Sequence, residues 1–320
     1  MTAGARASAT VAILAVAAAA CSPSPSAAPG AAPAAGERRI GWADVVVQRD
    51  RDLVVDLSPS ALAHDPSLGP IVRRARRMAA ARAEVAAIGS TLLQAIEDAD
   101  ELVVALRSAE PLDGSMVVGG APASVDPARL VDDRGELLYA VKSEARGVTE
   151  LEPRARLARS ARAALFVLPG RTWVLCAGDA VDRARAVFAR AAPSAYHAAP
   201  HALIEVSPGE DLLLRIRSHA GPMLTPLVGR LGAATLAFRS EGEAFVTATL
   251  TYLDARAAAR AEAPAKDLLG AFAGRYTPHL DFLRAASIAR DGAVLRVEAR
   301  LPPAALRRFA DADDASLDPP

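Results

Sequence analysis

The chain has 320 residues with 37 basic against 37 acidic side chains, so its formal charge is zero and its bulk electrostatics recruits neither nucleic acid nor an acidic membrane. Two cysteines exclude a disulfide-stapled scaffold and a cysteine-built zinc site. Hydrophobic residues make up 52%, but about a quarter of the chain is Ala, which adds little area to a core, and the length allows about two domain-sized units.

The N-terminus reads as an address. Arg6 supplies a short positive region, residues 11–20 are uncharged and apolar, and the run ends in Ala18-Ala19-Ala20-Cys21. This resembles a bacterial lipoprotein signal peptide with its lipobox, with Ala18 where that family mostly carries Leu. The resemblance implies that residues 1–20 are a signal peptide cut before Cys21, and that Cys21 is acylated on its thiol, as by palmitate, to become a membrane anchor. The apolar run is too short to span a bilayer, which needs about 20 residues. Residues 21–36 hold Ser, Pro, Ala and Gly without a charge or a large apolar side chain, the composition of an extended tether. In Gram-negative lipoproteins an Asp after the cysteine retains the protein in the inner membrane, so Ser22 implies the cell outer membrane. In a Gram-positive cell the same anchor implies the outer face of the plasma membrane.

The remainder predicts an α+β fold built as a divergent tandem duplication, each copy an antiparallel sheet with helices packed on one face. Three landmarks recur in order. A strand ending in Asp56-Leu57-Ser58-Pro59 is echoed by Glu205-Val206-Ser207-Pro208. Two strands about Asp113-Gly114 are echoed by two about Glu241-Gly242, with Asp126 and Asp254 opening the segments that follow. Two strands about Pro169-Gly170 are echoed by two about Asp291-Gly292, each followed by a helix with Phe188-Ala189 or Phe309-Ala310. The partial alternation of residues 244–251 fits a sheet with one covered face. The expected boundaries are 37–192 for the first repeat, 193–310 for the second and 311–320 for an acidic disordered tail.

Within the first repeat, Asp65-Pro66 is a helix cap, and Ile71, Ala75, Met78, Val85, Ile88, Leu92 and Ile96 recur at helical steps. Arg73, Arg74, Arg77 and Arg82 lie off that stripe. The first three are the candidate partner contact, able to grip lipid headgroup phosphates, lipopolysaccharide or carboxylates, although a solvated charged face explains the same pattern.

Chemistry-bearing residues are few. Ser58, His64 and Asp65 suggest a hydrolase by type, but triad members converge from distant positions and no Gly-x-Ser-x-Gly elbow occurs, so a strand end and a helix cap explain them. His197 and His201 have the four-residue spacing of a zinc pair, yet Pro200 disfavours a helix there and no Glu lies between them. His219 and His279 are isolated. Cys176 sits in the apolar run Trp173-Val174-Leu175-Cys176 and reads as a buried inert thiol. The carboxylates of residues 311–318 lack the Gly turn and closing Glu of a calcium loop.

These readings predict a membrane-tethered envelope lipoprotein that acts as a non-enzymatic binding or scaffold module for an envelope protein, polymer or amphiphile. Neither cofactor nor metal is expected, and no nucleic-acid partner. The alternative is a periplasmic carrier of lipid or lipidated protein, with an enzyme whose site is scattered through the chain as the third reading.

Overall fold

The computed structural model describes residues 41–69, 90–109, 112–131, 134–154, 162–194, 196, 202–221, 224–240, 243–275, 278–304 and 306–307. They cluster into two compact bodies, one holding described residues 41–64 and 90–203 and the other 65–69 and 204–307. Among the described residues antiparallel sheet dominates, with twelve strands and few helices.

The first body opens with a short helix α1 (Trp42–Val47), then β1 (Leu53–Leu57), α2 (Pro59–His64) and α3 (Ser90–Glu97). The hairpin β2 (Glu101–Ala109) and β3 (Leu112–Gly119) follows, then β4 (Tyr139–Ala145), β5 (Val148–Pro153), β6 (Ala163–Leu168), β7 (Thr172–Ala177) and α4 (Ala180–Arg190). The strands lie in the order β1-β2-β3-β7-β6-β5-β4. Gly114 is required by the β2–β3 hairpin, because a Cβ there would stand 2.4 Å from the Ala105 carbonyl oxygen.

Register places one apolar row straight across this sheet. Asp56 faces Val103, which faces Val117, then Val174, Phe166 and Glu150 on successive strands. α1 and α4 cover this face with Val46, Val47, Ala180, Val181, Ala184 and Phe188, all buried. The next residues along each strand point the other way. Leu102, Val118, Leu165, Trp173 and Leu151 are buried on the second face beneath Ala95, Ala99, Leu130 and Leu138. The sheet is therefore covered on both sides, which explains continuous apolar runs such as Ala164-Leu165-Phe166-Val167-Leu168.

The second body holds β8 (Ile204–Pro208), α5 (Glu210–His219), α6 (Thr225–Val228), β9 (Leu231–Ser240) and β10 (Ala244–Tyr252), then α7 (Ala255–Arg275), β11 (Ser287–Asp291) and β12 (Val294–Leu301). Its strand order is β8-β9-β10-β12-β11. Leu213 of α5 and Leu227 of α6 pack with Ala257, Ala258, Ala261 and Ala265 of α7 against Leu231, Tyr252 and Leu295. The alanines let the long helix approach the strands closely, a use for part of the Ala excess. Asp254 caps α7 by accepting the Ala257 N–H at 2.7 Å, and Asp126 likewise accepts the Ala128 N–H at 3.0 Å.

The tandem α+β duplication is corrected by this arrangement. The strands divide seven and five, not into two equal sheet-plus-helix copies, and the β4–β5 hairpin of the first body has no counterpart in the second, where the 21-residue α7 follows β10 instead. Where they fall on described residues, the three landmarks mark strand ends and hairpin turns, local chemistry that any antiparallel sheet reuses, while Glu241-Gly242 and Phe309-Ala310 lie outside the described residues. Helices on one face alone also fails for the first body, whose sheet is buried on both.

The core supports a direct test. Phe166 is 2% exposed and its ring meets that of Phe188 edge-on at 5.2 Å. Both tryptophans, Trp42 and Trp173, belong to the first body, so their fluorescence reports its unfolding alone. Phe166→Ala should destabilise the tryptophan-detected urea transition by about 3–5 kcal/mol; a loss under about 1 kcal/mol would show that the row is not packed.

Candidate functional site

Each covering segment of the first body is fastened to an opposite end of the apolar row by an arginine–carboxylate pair. Arg49, just beyond α1, binds Asp56 through two hydrogen bonds of 2.7 and 2.8 Å, and this contact holds its guanidinium above the usual arginine range. Arg185 of α4 donates from Nε to Glu150 at 2.9 Å and is held cationic by the same bond. Lys142 of β4 stands 3.6 Å from Glu150 and 3.3 Å from Glu152, and Arg162 pairs with Asp182. Trp42 closes the α1 side, its Nε1 donating to the Ser194 carbonyl at 3.0 Å and its ring meeting Phe188 and Tyr196. Burial pushes the Tyr196 phenol up, and Arg49 opposes the rise.

A third charged group lies where β1 begins and β3 approaches the start of α4. Asp113 accepts the Ala180 N–H at 3.1 Å and stands 3.7 Å from Arg183. Gly178 turns there at φ +66, and a Cβ would come within 2.8 Å of the Leu112 carbonyl oxygen. Asp52 is 1% exposed, and neither of its carboxylate oxygens has a hydrogen-bond partner. Nε and Nη2 of Arg183 and Oε1 of Gln48 are likewise buried without one. Burial pushes the Asp52 acid up to about 6, against the favourable fields of Arg183 and Arg107 and helped by those of Asp113 and Asp50. This concentration of buried charge is the candidate site that the structure offers, and the sequence reading did not single it out. The signal was an Asp placed between the end of a short helix and an apolar strand, where a solvated turn residue is the ordinary expectation.

Among the described residues, Ser58, His64 and Asp65 are held by backbone bonds, as a strand end and a helix cap would be. Ser58 donates its backbone N–H to Leu203 at 3.0 Å and accepts the Leu62 N–H at 2.8 Å. His64 Nδ1 lies 2.7 Å from the Ser60 carbonyl, which it meets as a donor. Asp65 accepts the Ser67 and Leu68 N–H groups at 2.9 and 2.7 Å, as a capping residue does. The His64 and Asp65 side chains are each occupied within their own turn. Cys176 is buried in the first core, and burial pushes its thiol up to about 12. His219 contacts the Arg215 carbonyl at 2.9 Å. Cys21, Arg73, Arg74, Arg77, His197, His201 and residues 311–318 lie outside the described residues, as does the His279 side chain. Among the described residues, no group of three or more His, Cys, Asp or Glu is placed to hold a metal, and no helix is long and apolar enough to cross a membrane.

Comparison with family models finds no match, and no curated protein matches. A solved structure described as crystal form I of TP0453 is similar over 83% of this chain and 94% of that chain, at 14% identity and a TM-score of 0.46. A likeness of that degree says nothing about activity.

Two measurements check these assignments. Glu150→Gln removes the nearest counter-charge of Arg185, a side chain only 28% exposed, leaves it Asp182 at 3.5 Å, and should cost about 1–3 kcal/mol in urea unfolding; an unchanged midpoint would remove the fastening role. Cys176 should resist a thiol reagent at pH 8 in the folded protein and react once urea is added, whereas prompt reaction before unfolding would reveal an accessible thiolate.

Proposed function

We propose that this protein is a lipid-tethered module of the cell envelope that holds a partner by its folded surface and performs no chemistry of its own. The observation that carries the reading is the N-terminal order of parts: Arg6, an apolar run, Ala18-Ala19-Ala20-Cys21 and a Ser/Pro/Ala-rich stretch leading to the folded body. The structure supports it indirectly. His64 and Asp65 bond to backbone groups within their own turns, Cys176 is held as a buried neutral thiol, and Arg49 and Arg185 are taken up in fastening the covering segments. These side chains are thus used to hold the fold.

On this reading Cys21 is the acylated residue, and the envelope face on which the body is displayed follows the host: outer membrane in a Gram-negative cell, outer face of the plasma membrane in a Gram-positive one. The partner is an envelope protein or polymer, and Arg73, Arg74 and Arg77 are the residues offered to its carboxylates or phosphates.

Metabolic labelling with a fatty acid tests the anchor. The parent protein should take up label and sediment with membranes, and Cys21→Ser should lose both; an unlabelled parent would contradict the proposal. Native mass spectrometry of the detergent-solubilised protein tests the function, and a second polypeptide bound to it is the expected result. A retained amphiphile with no protein partner would replace the scaffold reading with that of a carrier.

A further inference from the structure

We propose that Asp52 is an acid-responsive clasp on the segment by which the chain enters the first body: uncharged, it lets α1 and the turn behind it close onto the sheet and α4, and charged, it loosens them. Asp52 follows α1 by five residues in a tight turn, where Gln48 takes φ 48 and its carbonyl accepts the Asp52 N–H at 3.0 Å. That turn fixes the side chain on the same face as Val54 and Asp56, inside the core and not in water.

A carboxylate there is poorly served. A buried ion is tolerated when hydrogen bonds replace its lost hydration, and neither Asp52 oxygen has such a bond. A bridging water needs room beside its partners, and protein atoms leave almost no surface open on these oxygens. Four charged groups face it from the surrounding elements. Arg183 of α4 and Arg107 of β2 favour the ion, while Asp113 of β3 and Asp50 of the same turn oppose it. Arg183 is itself drawn toward Asp113 at 3.7 Å, and its Nε and Nη2 make no hydrogen bond to Asp52. Desolvation outweighs the two arginines, so the folded form keeps the proton to about pH 6 where an open form would release it near 3.8.

The direction follows by linkage. A carboxyl whose acidity is weakened by folding favours the closed state most at low pH, and the closed state loses ground as pH rises from about 4 through about 6, then levels off. Between pH 5 and pH 8 the population of the open segment should grow about tenfold. The site differs in kind from Asp56 and Glu150, each of which is hydrogen-bonded by an arginine.

Hydrogen exchange by mass spectrometry, corrected for intrinsic rates and run on the full chain at pH 5 and pH 8, reads the opening in peptides covering residues 42–52. The parent should lose about tenfold protection there at pH 8 while a peptide from β10 does not change. Asp52→Asn, which keeps the shape and removes the charge, should hold the pH 5 level of protection at both values. Asp50→Asn, at an exposed neighbour whose field is the smallest of the four, should keep the parent's pH course with a slightly smaller change. A parent whose protection is equal at pH 5 and pH 8 overturns the proposal whatever the variants do. An Asn variant that follows the parent's pH course, or that is looser than the parent at pH 8, overturns it as well.

Discussion

A row of apolar side chains, Val103, Val117, Val174 and Phe166, runs across four adjoining strands of the first body and ends in a carboxylate on either side. Because both faces of those strands are buried, every backbone N–H and C=O in them must be spent on the neighbouring strand, and every charge must be kept to the margins or paired. Asp56 and Glu150 mark where the apolar row stops. Arg49 and Arg185, carried by the segments that cover the face, meet them there. Covering and fastening are thus one event: the helices cannot seat on Val117 and Phe166 without also bringing their arginines to the two ends.

The same constraint sorts the polar residues by role. Asp113 is tolerated because it caps α4 and faces Arg183, and Glu150 because Arg185 and Lys142 surround it. Asp52 has neither arrangement and is the place where the rule is strained. Functional or switching residues are commonly found where local chemistry and global packing disagree, which is why the cluster at the head of α4 draws attention ahead of the better-formed ion pairs. The second body solves its burial differently. There the strands alternate, Val246, Ala248 and Leu250 toward the helices and Thr247, Thr249 and Thr251 away from them, and alanines on α7 supply close contact in place of bulk.

This contrast explains how much was legible in the sequence. Strand ends, hairpin turns, the cap at Asp65 and the segment openings at Asp126 and Asp254 were readable because each is set by residues adjacent in the chain. The duplication failed because repeated hairpin signals say that strands turn, not that a whole unit is copied. One-sided covering was inferred from the alternation of residues 244–251 and carried over to strands that do not alternate. Leu102-Val103-Val104-Ala105 and Trp173-Val174-Leu175-Cys176 held the opposite signal, an unbroken apolar run that belongs to a strand buried on both faces. The site was not legible, since Asp52, Arg107, Asp113 and Arg183 are far apart in the chain and meet only through register. Nothing local distinguishes Asp52 from its exposed neighbour Asp50.

Double-faced burial of the first body's sheet is the claim on which the rest stands, and residue-resolved amide exchange tests it most directly. If β3 and β7 are sealed on both sides, the amides of Val117 and Val174 exchange only through unfolding of the whole body, and those of the edge strand β4 exchange far sooner. Equal and rapid exchange at Val117, Val174 and Val141 would contradict the account, because it would mean that one face of the sheet is open to water.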